Sequence, residues 1–433
     1  MTAQHPSLPI DETSRAALAE SGLRLAVVDH ADPAQHTAWF LAESRGFHGP
    51  RPSEELMAQR REQLSDDERL VGVFDPTSPD PDSPVATTIC WPADLTVPGR
   101  RTIPAWAVSG VTVASTHRRR GIARALMTAE LRTAAAMGLP LAMLTVSEST
   151  IYGRYGYGVA ALARDVTILT RRARWTGPDA PGRIHFVSAE QLLVDGYELV
   201  ERVRRETPGQ MHYRHDSTLW GRQLGLTVGD ENAKKLRLVR YDDEGGTPQG
   251  FAVYELVEDE KDFAEHELKL HTLVAATTDA YAGLWRFILD MDLVSKVSAH
   301  LRPVDEPLRW MISDFRAMSI TETDHLWVRI LDVPTTFGAR TYARAGRLVI
   351  RVDDPLGFAD GTWALDVDDA GEATVTAVDE TPEVIVGVAA LGSLLLGGVR
   401  ATALAAAGTV RGDAERLDGM FRSPVEPFLS IWF

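Results

Sequence analysis

The order of apolar segments predicts an α/β layer with a mixed sheet over the first part of the chain and α+β structure over the last. Three observations carry this. Strand-like and amphipathic helical runs alternate up to about Arg174. A Pro-, Gly- and Arg-rich stretch, RRARWTGPDAPGR, then breaks the pattern. Beyond about Ile320, several short strand-like runs precede one last helix.

In the first region a helix is expected at PAQHTAWFLAESRGF. Strands are expected at LVGVFD, VATTICWPADLTV and IPAWAVSGVTVA. The amphipathic run RRRGIARALMTAELRTAAAMG follows, and Gly138 and Pro140 end it. The strand LAMLTVSE leads into STIYGRYGYG, Ser149 to Gly158. The second region starts near Ile184, with a helix at SAEQLLVDGYELVERVRRE, strands at KLRLVRY, GFAVYELV and HELKLHTLVAA, and a helix at DAYAGLWRFILDMDL. The third has strands at HLWVRI, RLVIRV, GTWALDVDD and ATVTAVD and a helix near GDAERLDGMF. Its long apolar run, Val384 to Val399, contains glycines and falls short of the ~20 residues a membrane span needs. It reads as a buried strand, a turn and the start of a core helix.

Composition sets limits. The 433 residues suffice for roughly two to four domains. A net charge of −16 argues against non-specific nucleic-acid binding and against anionic membranes. The single cysteine, Cys90, excludes a disulfide framework within the chain and reads as a small core residue. The start, MTAQHPSLPIDETSR, has neither a basic segment nor an apolar run, so no leader is expected and a cytoplasmic location is. His212 and His215 share a spacing but have no third partner, so no metal is expected.

The segment VTVASTHRRRGIARALM carries the chemistry. A strand ends near Val113 and a helix begins near Arg120, with Arg118, Arg119, Arg120, Gly121, Ile122, Ala123 and Arg124 across the junction. The first turn of a helix offers free N–H groups and a positive dipole end. Gly121 and Ala123 remove bulk where an anion must approach, and the arginines add charge-assisted contacts. Three cations at a helix N-terminus oppose its dipole, so the segment is expected to hold a diphosphate. The same segment aligns without gaps on LVAATTDAYAGLWRFIL, with Gly121 on Gly283, Arg118 on Ala280 and Ala123 on Trp285. This predicts a duplicated fold whose second copy takes no cofactor, Trp285 obstructing the approach.

Arg-x-x-Gly-x-Ala after a strand resembles the acetyl-coenzyme A loop of the GNAT superfamily of N-acetyltransferases. VASTHRRRGIARALM, then SESTIYGRYGYG, then a terminal aromatic residue is similar to the enhanced intracellular survival protein family, over the whole chain. The resemblance implies two acetyltransferase-like domains, residues 1–180 and a degenerate 181–315, and a sterol-carrier-protein-like domain at 316–433. It implies acetyl-CoA as cosubstrate, no metal, and a homohexamer acting on amines such as aminoglycosides, lysine peptides or polyamines. It places the pantetheine arm along Val111, Thr112 and Val113, with Ser147 and Glu148 nearby. It makes Tyr152 the general acid and the carboxylate of Phe433 the general base. Tyr155 and Tyr157 are then packing residues, and Gly153, Gly156 and Gly158 permit a tight turn or bulge.

Acyl transfer from a thioester to an amine needs a neutral amine, donors for the developing oxyanion and a proton for the thiolate. A tyrosine with pKa near ~10 can supply that proton. A free terminus, at roughly 3.3–3.7, serves as a base only where its surroundings raise it, and the apolar SIWF ending is consistent with burial. Two features depart from the family pattern: Trp432 stands where an acid is expected, and RGFHGPRPSEEL carries His48 and Arg51 in the substrate wall. The competing expectation is a non-catalytic protein binding an apolar ligand or lipid through Val384 to Leu404.

Overall fold

The computed structural model describes residues 8–433. Residues 1–7, part of the stretch read above as lacking a leader, lie outside the described residues. Helix α1 (Glu12–Ala19) begins where Asp11 accepts from the Ser14 N–H at 2.8 Å, and β1 (Arg24–Val27) follows. Helix α2 (Pro33–Gly46) has Asp32 as its cap and proline in its first turn, both helix-start features. Ser53 caps α3 (Glu54–Gln63). Strands β2 (Arg69–Phe74), β3 (Ala86–Val97) and β4 (Arg101–Val113) precede α4 (Ile122–Ala136), β5 (Leu141–Thr145), α5 (Ser149–Tyr152) and β6 (Gly158–Leu169).

Strand β7 (Arg183–Phe186) is followed by α6 (Ala189–Glu206), which opens with a reciprocal Ser188–Gln191 capping box. Then come α7 (Thr218–Gln223), β8 (Leu236–Asp242), β9 (Pro248–Val257), β10 (His266–Ala275), α8 (Thr278–Leu289), β11 (Val294–Arg302) and β12 (Met318–Ile330). The last part is α9 (Val333–Gly338), β13 (Gly346–Asp353), β14 (Gly361–Val367), β15 (Ala373–Ala377), β16 (Val384–Gly387), α10 (Val388–Leu394), α11 (Ala401–Ala406), β17 (Val410–Gly412) and α12 (Ala414–Phe421).

These elements make two compact units, neither contiguous in sequence. One takes the residues up to Ala160, Leu326–Pro424 and Phe433; the other takes Ala161–His325 and Val425–Trp432. In the first unit the strand order is β1-β2-β3-β4-β5, and Leu326–Ile330 of β12 closes the β5 edge as an antiparallel partner. Helix α4 buries Ile122, Leu126 and Ala129 against Leu18, Leu25 and Val73. A second sheet, β15-β14-β13-β16-β17, carries the α+β part. There β16 runs through Gly387 directly into α10, so the long apolar run is a strand, a helix and then a turn at Leu395–Leu396, the turn falling after the helix and not between the two. Val333, Phe337, Ile350, Trp363, Leu391 and Phe421 line a cavity of about 10 Å³, room for about one water. In the second unit the order is β6-β11-β10-β9-β8-β7, with α8 packed on its core through Leu284, Trp285 and Ile288. No helix among the described residues is long and apolar enough to cross a membrane.

Candidate active site

The site begins with two parallel strands that part. Strand β4 pairs with β5 only from Ala105 to Ala107, opposite Leu141 to Met143. On its other side β4 pairs with β3 out to Val113, but the register slips between Thr87 and Ile89. Gly110 lies in that slip at φ +59°, where a Cβ would come within 3.1 Å of Ile89 and 3.3 Å of the Trp39 ring. A bulge bends the strand that carries it. Beyond Ala107 the β5-facing edge of β4 is left unpaired by β5, and Val111, Thr112 and Val113 lie on this stretch. The Thr112 side chain is buried, its hydroxyl 2.7 Å from that of Thr87, so its backbone is what the edge presents.

The arginine loop follows. Arg119 takes φ +62° and Gly121 φ +78°, and Gly121 is the helix N-cap without any side-chain cap. A Cβ on Gly121 would meet nothing within 4 Å, so this glycine is kept for its conformation and for the open space beside it. The helix begins at Ile122, two residues later than expected. Ile122 is buried in the core and offers only its backbone, while Ala123 is half-buried. Arg120 turns away: it donates to the Ser21 carbonyl at 3.1 Å and stands 3.9 Å from Asp75. Asp75 also lies 3.0 Å from His117 Nε2, and hydrogen bonds from Thr77 and then His117 hold its pKa at about 2. Arg118, Arg119 and Arg124 are exposed and form no ion pair among the described residues. Uncapped N–H groups, open space and three uncommitted guanidinium groups fit a diphosphate. A cavity of about 350 Å³ adjoins them, lined in part by Arg45, His48, Val113, Thr116 and Arg118.

Past β5, Ser147 and Glu148 are exposed, and the Glu148 carboxylate accepts from the Thr150 hydroxyl at 3.0 Å. Tyr152 then turns inward. It is 8% exposed and packs with Cys90, Trp106 and Tyr157, its ring 6.2 Å from that of Tyr157 in an edge-on arrangement. Burial pushes the Tyr152 phenol above the usual tyrosine value, and Tyr155 and Glu148 push in the same direction. Tyr155 is raised by burial but opposed by Arg124 and Arg154, which puts it on the arginine-loop side. Tyr157 is fully buried with an unpartnered hydroxyl among the described residues. Gly156 takes φ +84°, and a Cβ on Gly158 would sit 1.7 Å from the Ala389 carbonyl oxygen. Only glycine fits there, so the motif's glycines are turn and close-approach residues.

Phe433 lies at the C-terminal end of β5. The Thr145 hydroxyl donates to the Phe433 carbonyl oxygen at 2.6 Å and accepts from the Phe433 N–H at 3.3 Å. The Phe433 ring packs edge-on against Trp91 at 5.8 Å. Sequence reasoning missed Thr145 and Trp91. The one available signal was position, since ligands gather beyond the carboxyl ends of parallel strands.

In the second unit, β10, α8 and β11 repeat the strand–helix–strand arrangement, with β10 and β11 parallel. The ungapped alignment is out of register by six residues: Gly121 caps α4, but the cap of α8 is Thr277, not Gly283. Trp285 is buried in the core under Arg302 rather than standing at an approach. The difference at this helix start is chemical: the Thr277 side chain accepts from the Ala280 N–H, Asp279 occupies the first turn and no arginine is present in it. Trp432 belongs to this unit. Its carbonyl accepts from Arg222 at 2.6 Å, and its ring lies 4.8 Å from His325. His212 pairs with Glu201 at 3.1 Å, and His215 packs on the Tyr197 ring.

A splayed pair of parallel strands, a glycine-capped helix ringed by arginines and a buried tyrosine beyond the second strand define a GNAT acyltransferase. Comparison with known proteins agrees. Residues 28–160 and 211–330 each match families described as acetyltransferase (GNAT) domains, and residues 333–430 match the sterol carrier protein domain. A Streptomyces avermitilis protein described as an uncharacterized N-acetyltransferase is 34% identical over 413 residues, covering 92% of this chain and 97% of its own. The N-acetyltransferase Eis of Mycobacterium tuberculosis is 34% identical over 349 residues, covering 76% and 81%. The crystal structure of Eis1 from Mycobacterium abscessus superposes with a TM-score of 0.79 at 29% identity, covering 95% of this chain and 100% of that one. The chain belongs to the enhanced intracellular survival family of N-acetyltransferases.

Proposed function

We propose that this N-acetyltransferase transfers an acetyl group from acetyl-CoA to an amine of a cationic substrate, with Tyr152 as general acid and the Phe433 carboxylate as general base. The observation that carries the reading is the Thr145–Phe433 pairing: it sets Phe433 at the end of β5, four residues before the helix that bears Tyr152. Bound acetyl-CoA supplies an activated acyl thioester. Arg118, Arg119, Arg124 and the first-turn N–H groups of α4 hold its diphosphate, and the open edge of β4 from Val111 to Val113 orients its arm. Ser147 and Glu148 flank that arm. Tyr152, kept protonated by burial, holds the proton that the departing thiolate takes. The Phe433 carboxylate takes the proton of the incoming ammonium.

Trp432, His48 and Arg51 depart from the family pattern around the substrate, so the class is kept broad: aminoglycosides, lysine peptides or polyamines. A cytoplasmic homohexamer and domain limits of 1–180, 181–315 and 316–433 complete the reading. The test is a panel of aminoglycosides, lysine peptides and polyamines assayed for thiol release from acetyl-CoA, with mass spectrometry of the products. No release with any amine overturns the proposal. Full activity after extension of the chain beyond Phe433 overturns the base assignment alone.

A further inference from the structure

Phe433 closes a segment without regular structure, the kind of chain end that frays unless it is tied down. Its ties within its unit are specific. Thr145 is the last residue of β5, and its backbone is held opposite Leu326 of β12. Threonine is β-branched and stiff at χ1, so a Thr145 held in a sheet aims its hydroxyl in one direction. That hydroxyl uses both of its capacities on one residue: it donates to the Phe433 oxygen at 2.6 Å and accepts from the Phe433 N–H at 3.3 Å. The two bonds fix the plane of the terminal group as well as its place. The Trp91 ring packs edge-on against the Phe433 ring at 5.8 Å and holds the side chain on the same side. A carboxylate has about four acceptor positions, so one bond from Thr145 leaves the others for an incoming amine.

We infer that Thr145 is a positioning residue for acyl transfer, its hydroxyl aiming the Phe433 carboxylate at the amine. The inference rests on the reading of Phe433 as the base. Valine keeps the shape of threonine and loses both bonds; serine keeps the hydroxyl. The experiment compares wild type, Thr145→Val, Thr145→Ser and a chain extended by Gly-Ser after Phe433. It uses acetyl-CoA and the fastest amine of the panel above. Phe433 release by carboxypeptidase A is followed in parallel.

Thr145→Val is expected to lower kcat by ~10-fold or more while KM for acetyl-CoA stays within ~2-fold, since misplacing a reacting group by about 1 Å costs up to ~100-fold. It should also release Phe433 several-fold faster. Thr145→Ser should restore most of both. Unchanged kcat in Thr145→Val, with the extended chain inactive, overturns the role of Thr145 and leaves the base standing. Faster Phe433 release without a fall in kcat overturns it equally. An extended chain of full activity removes the base assignment, and this inference with it.

Discussion

Arg329 Nη2 donates to both carboxylate oxygens of Asp354, at 2.7 and 2.8 Å, and both side chains are fully buried. The same guanidinium donates from Nε to the Tyr155 carbonyl at 2.7 Å and from Nη1 to the Ile330 carbonyl at 2.5 Å. Asp354 also accepts from the N–H groups of Leu356 and Ala359. The turn that carries the three tyrosines is therefore tied to a buried charge in the last part of the chain. Removing one partner of a buried pair leaves the other uncompensated, at about 3–5 kcal/mol. Asp354→Ala is expected to lose stability by that order in urea unfolding. A loss below about 1 kcal/mol would show that Arg329 finds other partners.

The arginines of the loop divide by their partners. Arg118, Arg119 and Arg124 are uncommitted, whereas Arg120 is spent on Ser21 and Asp75. Charge-assisted contacts contribute about 1.5–3 kcal/mol each where they are made. Arg118→Ala and Arg124→Ala are expected to weaken acetyl-CoA binding by ~10-fold in calorimetry, more at low salt than at high. Arg120→Ala should leave it within ~2-fold. Equal effects of all three substitutions would mean that the loop acts only through its net charge.

Tyr152→Phe removes the proposed proton donor without opening a cavity. General-acid loss is expected to lower kcat by ~10²–10⁴-fold with acetyl-CoA affinity nearly unchanged. The pH dependence follows from the sign of its shift. Burial, Tyr155 and Glu148 all raise the phenol, so the acid form persists through neutral and mildly alkaline pH. No alkaline limb from Tyr152 is expected below about pH 10. A limb near pH 8 that Tyr152→Phe abolishes would contradict the assignment.

His36 is fully buried on α2, its ring 4.6 Å from Phe40 and both nitrogens without partners among the described residues. Burial first, then Arg61, His30 and Arg60, lowers its pKa from 6.5 to about 4. The unfolded chain therefore binds a proton between pH 6.5 and 4 that the folded chain refuses. Stability falls across that window and levels off below it, by up to about 3 kcal/mol. His36→Phe should flatten this part of the stability profile between pH 7 and 4. An unaltered acid slope would assign it to other groups, such as His325, which burial also holds at about 4.

Much of this was legible in the sequence because it is local. The strands around Arg101–Val113 and Leu141–Thr145, the helix between them and the arginine loop follow from periodicity, a glycine and charge. The enzymatic class followed from resemblance in the same segments. What escaped depends on distant partners. The diversion of Arg120 to Asp75, the Thr145–Phe433 clamp and the Arg329–Asp354 pair join residues that no window contains together. The duplicated motif shows the same limit. Matching glycines invited an alignment in which Gly283 stood for Gly121, but Gly283 sits inside α8, where a Cβ would meet the Tyr241 ring at 2.7 Å. One glycine supplies a left-handed cap and the other room for an aromatic ring.

The pairing of β5 with the end of β12 also bears on how the protein is made. On the ribosome, Leu141–Thr145 emerges roughly 180 residues before its partner at Leu326–Ile330. At about 5–20 residues per second, the β5 edge waits on the order of 10–35 seconds for that strand. During that interval the nascent first unit presents an apolar strand with one side open, an invitation to pair with another chain. Phe433 comes later still, 288 residues after Thr145. Synthesis thus delivers the arginine loop well before the proposed base, so a product truncated between them carries the loop without Phe433.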